Sequence, residues 1–192
     1  MIQSKEDLEL YLDSDRYSLG YHDNIIPFPV PLEWKFLKRL RKTEYYVNCS
    51  HNIFTRIIAT YHKYQLIRIS LKMRMGIPLN TVGPGLAIIH GSCIFINESA
   101  KIGYNCRIHD CVNIAAGAKI GNNVYIAPGA KLLDNAVVGN DVAIGANAVV
   151  HGEFTKDGVT IGGVPARIIK ETFSQYDYIK GYDIARGKKE HQ

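Results

Sequence analysis

His90 and His109 are the residues of this sequence best suited to moving protons. An imidazole has an unperturbed pKa of about 6.5, so one ring nitrogen can take a proton from a hydroxyl and return it within a turnover. Asp110 and Asn113 follow on the same stretch as His109 and are suited to orienting a ring or a bound hydroxyl. Catalytic zinc needs three converging ligands. The third histidine in range, His151, falls on a different side of the repeat described next, so no metal is expected. Cys49, Cys93, Cys106 and Cys111 lack the paired spacing of a metal site and suit a reducing cytoplasm.

A repeat must position these residues. Ile96, Ile102, Ile108, Ile114, Ile120, Ile126, Leu132, Val138, Ile144 and Val150 place a branched aliphatic at every sixth position. A smaller track runs two residues ahead of it, from Ala100 through Cys106 and Val112 to Ala148. Neither a helix nor an ordinary strand has a period of six. A parallel β-helix of hexapeptides does, with three hexapeptides to each triangular coil. The sequence therefore predicts a mainly β protein, a left-handed parallel β-helix. Gly103, Gly121 and Gly139 stand eighteen apart and are expected to supply the unusual backbone angles of one corner. His90 lies six residues before Ile96, at a register where an aliphatic is expected, and breaks of a local rule cluster at functional sites. Ile108 is expected to stack one coil above His90, which brings His109 beside it. Between Val82 and His90 the spacing is eight, so Gly83 to Ile89 reads as a long corner.

Residues 1–75 have a different texture and predict an N-terminal α-helical cap. Ser4 caps a short helix from Lys5 to Leu12, Leu32 to Arg41 continues helical, and Asn52 to Met75 reads as one long amphipathic helix. Pro27, Pro29 and Pro31 force the stretch from Ile25 to Pro31 to be extended. Residues 76–170 carry the β-helix, roughly five coils of it. The tail, 171–192, is polar and tyrosine-rich. A short helix over the last coil and disorder are both open for it. The 192 residues carry 46% apolar residues and a net charge of +5. That charge is spread rather than striped, which argues against nucleic acid. There is no apolar run of membrane-spanning length and no secretory signal, so a cytoplasmic protein is expected.

Two segments resemble a known family. The run Gly83-Pro84-Gly85-Leu86-Ala87-Ile88-Ile89-His90, followed by Ile94-Phe95-Ile96-Asn97-Glu98-Ser99-Ala100-Lys101-Ile102-Gly103, resembles serine O-acetyltransferases, and more closely their relatives from capsule and O-antigen clusters. Ile161-Gly162-Gly163-Val164-Pro165-Ala166-Arg167 resembles the closing signature of hexapeptide acyltransferases. The resemblance implies acetyl-CoA as donor, a hydroxyl as acceptor, and a homotrimer with sites between subunits. It implies His90 as general base; His109 beside it is a second catalytic candidate, and Glu98, Asp110 and Asn113 are candidates to bind the acceptor. A backbone N–H near Gly91 is a candidate donor to the oxyanion. The pantetheine arm is expected along small corners at Ala127, Gly129, Gly145 and Ala146, and its phosphates near Arg167 and Lys170. Ile89 and Met75 stand where serine acetyltransferases carry aspartates, and the loop bearing their second histidine is missing. An acceptor sugar of a surface polysaccharide is therefore expected. L-serine is the alternative acceptor, and a non-catalytic trimeric scaffold is the alternative of another class.

Overall fold

The computed structural model describes residues 1–22, 26–173 and 178–190. Ile25, the first residue of the proline-rich extended stretch, lies outside the described residues.

Three helices form the cap. Helix α1 (Lys5–Ser18) starts at Ser4, whose hydroxyl accepts the Asp7 N–H while the Asp7 carboxylate accepts the Ser4 N–H. It runs one and a half turns beyond Leu12, because Tyr17 and the buried polar residues Ser14, Asp15 and Arg16 pack inward. Helix α2 (Leu32–Asn48) buries Trp34, Phe36, Leu37 and Leu40 and continues past Arg41, since Arg41 and Glu44 are themselves buried. Helix α3 (Ile53–Met73) is capped by Asn52 and touches the body through a narrow line of Ala59, His62, Leu66 and Met73.

The repeat folds as a left-handed parallel β-helix, with three faces of two-residue strands. One face stacks β1 (Ala87–Ile88), β4 (Arg107–Ile108), β7 (Tyr125–Ile126), β10 (Ala143–Ile144) and β13 (Thr160–Gly163). The second stacks β2 (Phe95–Ile96), β5 (Asn113–Ile114), β8 (Lys131–Leu132) and β11 (Val149–Val150). The third stacks β3 (Lys101–Ile102), β6 (Lys119–Ile120), β9 (Val137–Val138) and β12 (Glu153–Phe154). These strands make about four full coils plus a further rung, and β14 (Ala166–Lys170) closes the end by pairing antiparallel with β13. Every aliphatic of the six-residue track is buried, as is the small track.

The corners differ from the expectation in an instructive way. Gly103, Gly121 and Gly139 do not have positive φ. They are glycine because the coils approach too closely for a side chain: a Cβ on Gly121 would stand 2.5 Å from the Gly139 carbonyl oxygen. The left-handed conformation falls two residues later, on Asn105, Asn123 and Asp141, with φ of 54°, 57° and 52°. Asparagine and aspartate tolerate that region best after glycine. Their side chains also form a ladder: Asn105 donates to Asn123 at 3.0 Å and Asn123 to Asp141 at 3.1 Å.

A buried ionic knot joins the cap to the first coil. Arg41 is fully buried; its Nε donates to Asp15 Oδ2 at 2.8 Å and its Nη1 to Glu44 Oε2 at 3.0 Å. The same guanidinium donates to the carbonyls of Val82 and Gly83 at 2.9 and 2.7 Å. Asp15 Oδ1 accepts the N–H groups of Gly85 and Leu86 at 2.9 and 2.8 Å. Burial opposes the charge on Arg41, but the two carboxylates outweigh it and hold the guanidinium protonated above its usual range. Burial likewise pushes the Asp15 carboxyl up, while Arg41 and the Leu86 N–H pull it down. With its carboxylate oxygens taking Arg41 and two backbone N–H groups, the pair is the charged one. The segment leading to β1 is therefore clamped.

Among its described residues the C-terminal segment does not stay at the last coil. Helix α4 (Gly181–Glu190) packs on α1 at the opposite end. Gly181 sits so tightly against Ser14 and Ser18 that no side chain fits. Tyr178 donates its hydroxyl to the Asn105 carbonyl, and the Tyr182 N–H donates to Asn105 Oδ1 at 2.8 Å.

Candidate active site

The histidine corner is built by an insertion. Ile88, not His90, is the inward residue of the first coil: it pairs with Ile108 twenty residues on, where later coils repeat at eighteen. Val82 likewise pairs with Ile102, so the two extra residues lie between Ile88 and Ile96. The long corner thus follows Ile88 rather than preceding it. It runs out from the stack and carries His90, which is exposed and has φ of 53°, rather than an inward ring. Gly91 is pressed against Ile88, and a Cβ there would lie 2.7 Å from its Cγ2.

His109 follows β4, one coil further along the same edge. The two imidazole centroids are 6.4 Å apart and tilted by 53°. Tyr125, on the next rung, meets His109 edge-on at 5.0 Å. Burial pushes the His109 ring below the usual histidine range; Arg107 and His90 push the same way and Asp110 opposes them. A neutral imidazole results. Its Nε2 is buried and, among the described residues, has no hydrogen-bond partner. An orphaned buried nitrogen of this kind is a ready partner for a hydroxyl or a water.

The same edge continues through Ala127 and Gly129, then Gly145 and Ala146, one coil each. Beyond them Arg167 and Lys170 lie exposed on β14, paired with Gly162 and Thr160 of the last rung. The structure therefore aligns His90, His109, Asp110 and the four small corner residues along one ridge, with cations at its far end. Asn113 points outward from β5 on the adjoining face, in register with Phe95 and Lys131. Glu98 lies on the next corner, across β2 from the histidines. Two cavities of about 590 Å³ lie elsewhere, one against the third face and one between α3 and Phe95; neither is lined by His90 or His109.

Sequence reading missed Glu33. Its Oε1 accepts the Gly91 N–H at 3.3 Å, so the donor expected for an oxyanion faces a carboxylate brought by α2. Nothing local signals a contact across that separation. Tyr125 was findable: it lies eighteen residues after Arg107, hence one rung above it. Among the described residues no group of three metal-binding side chains converges.

Residues 117–152 match the family model described as bacterial transferase hexapeptide (six repeats). No curated protein matches the chain. Solved serine acetyltransferases share its fold. One in complex with CoA is 25% identical, with a TM-score of 0.68, covering 87% of this chain and 71% of that one. Serine acetyltransferase from Brucella abortus strain S19 is also 25% identical, with a TM-score of 0.71 and coverage of 89% and 72%. A serine acetyltransferase in complex with cysteine gives 25% identity, a TM-score of 0.59 and coverage of 95% and 72%. These similarities favour the serine enzymes over the capsule and O-antigen branch that the sequence suggested.

Proposed function

We propose that this chain is an O-acetyltransferase that uses acetyl-CoA, with His90 as general base and a small hydroxyl compound of the L-serine type as acceptor. The observation that carries the reading is the ridge: two adjacent imidazoles, one exposed and one held neutral, continue into corners of small residues that end in cations. His90 takes the hydroxyl proton as the acceptor oxygen attacks the thioester carbonyl. The C–S bond then breaks, and the departing thiolate recovers that proton from the imidazolium. His109 orients the acceptor or a water through its free Nε2. Ala127, Gly129, Gly145 and Ala146 let a thin pantetheine arm lie close, and Arg167 and Lys170 meet the phosphates. The two cavities of about 590 Å³ lie away from the ridge, which supports a homotrimer in which a neighbouring copy walls the cleft.

The similarity to serine acetyltransferases supports the acceptor class, and Glu33 offers a carboxylate for an ammonium. A second reading, acetylation of a sugar hydroxyl, is favoured by one observation: Met75 and Ile89 are uncharged where serine enzymes carry aspartates. Thiol release from acetyl-CoA, measured with L-serine and with a panel of sugars, decides between them. His90→Asn is the sharper test of the base, because asparagine tolerates the left-handed backbone there. It should lower turnover by about 10² to 10⁴ with the melting temperature unchanged. Turnover near that of the wild type removes the assignment. A scaffold would show neither turnover nor a thermal shift with acetyl-CoA.

A further inference from the structure

Helix α3 is an anomaly on this surface. It is attached by four buried residues along one line, with Thr55, Gln65, Ile69 and Ser70 half-buried beside them, and the other 13 of its 21 residues are exposed. That exposed surface carries large apolar side chains among its cations: Phe54 is 74% exposed and Leu71 73%, and Ile53, Ile57, Tyr61 and Tyr64 are exposed too. At 1.5 Å per residue they extend over about 30 Å. Isolated apolar residues on a surface need no explanation, but a series of this length does.

Its charge says what covers it. Between Glu44 and Glu98 the sequence holds no acidic residue and five cations, Arg56, Lys63, Arg68, Lys72 and Arg74. All five are exposed. On the adjoining α2, Lys35, Lys38, Arg39 and Lys42 gather around one cleft. Burial first, and then the charges of Arg39 and Lys42, push His62, at the α2–α3 seam, below the usual histidine range. A second copy docked two-fold, α3 against α3, would oppose five cations to five with no acid between them. Nucleic acid would match the charge but leave Ile53, Ile57 and Leu71 in water. A bilayer rich in anionic lipid satisfies both: its headgroups take the Lys and Arg side chains, and the aliphatic and aromatic groups enter the acyl boundary.

We propose that α3, with the basic face of α2, seats this protein on an anionic membrane surface without spanning it. Among the described residues no helix is long and apolar enough to cross. The inference is independent of the acetyl-transfer reading.

The test is co-sedimentation of the full chain with phosphatidylcholine vesicles, with and without phosphatidylglycerol. The protein should pellet with the anionic vesicles only and be released as salt is raised. The triple variant Lys63→Gln, Arg68→Gln, Lys72→Gln should bind about a hundredfold more weakly, at about fivefold per cation. Leu71→Ser alone, at an exposed position, should also weaken binding, and it carries the test if the triple variant fails to fold by circular dichroism. Absence of binding to anionic vesicles, or equal binding to neutral ones, overturns the proposal. So does a result in which these variants dissociate an oligomer, read by analytical ultracentrifugation, while leaving vesicle binding unchanged; the occupant is then a second copy.

Discussion

Replacing Arg41 by Met should separate what holds the histidine corner from what the corner does. Methionine keeps most of the volume of the stem, so the change is chiefly the loss of charge and donors. Five hydrogen bonds disappear, to Asp15, Glu44, Val82 and Gly83. Two buried carboxylates are left without a counter-charge. Removing one partner of a buried ion pair costs about 3–5 kcal/mol. For a chain of this size each kcal/mol is worth about 2–4 °C, so the melting temperature should fall by about 6–20 °C, read by circular dichroism at the helix band. The pH dependence is diagnostic. Burial already holds the Asp15 carboxyl above its usual range, and without Arg41 it rises further above its unfolded value of about 3.9. Groups with raised folded values lose their contribution as pH climbs through those values. The deficit of the variant should therefore be larger at a pH of about 8 than of about 5. Adding Asp15→Asn and Glu44→Gln should recover part of the loss. A deficit under about 2 °C, or one that does not change with pH, refutes the claim that the knot is charged and clamps the corner.

Two further outcomes follow from single positions. Gly121→Ala forces a Cβ to within 2.5 Å of the Gly139 carbonyl oxygen, and neither backbone can retreat without opening two coils. It should cost about 1–3 kcal/mol by denaturant unfolding, and a neutral result would mean that the coils slide freely. His109 has a folded-state pKa below its unfolded value of about 6.5, so the unfolded chain binds the proton first. Wild-type stability should fall as pH drops through that window, and His109→Gln should flatten that part of the slope. His62 contributes a slope of the same sign in both proteins, so the difference between them belongs to His109.

The β-helix was legible because each of its coils repeats the same instruction: an aliphatic inward, a small residue before it, six residues to a side. Pattern reading failed where the instruction was interrupted. Counting back from Ile96 put His90 on the inward track, whereas the structure gives that place to Ile88 and throws His90 outward on two extra residues. The register argument that singles out His90 is therefore incorrect, and the family resemblance and the adjacent His109 ring are what support that residue. The corner glycines were read as angle-makers but are spacers; the unusual angles belong to Asn105, Asn123 and Asp141. Glu33 and the Arg41 knot were invisible because, apart from the Arg41–Glu44 pair, their partners lie from 26 to 71 residues away, and a single sequence encodes no pairing at that range. The length of α1 and α2 was underestimated for the same reason: Asp15, Arg41 and Glu44 look like surface charges until their partners are seen.

The return of the C-terminal segment to α1 has an effect on size. An open solenoid gains or loses rungs at little cost, since each touches only its neighbours. Here Tyr178, Lys180 and Gly181 must reach Asn105, Asp141 and α1 after the chain has left the final rung. Each added rung would move the departure point about 4.8 Å farther away along the stack. The strap is therefore a ruler: it sets how many coils the molecule can have, and lengthening the barrel by one would require a longer tail in the same step.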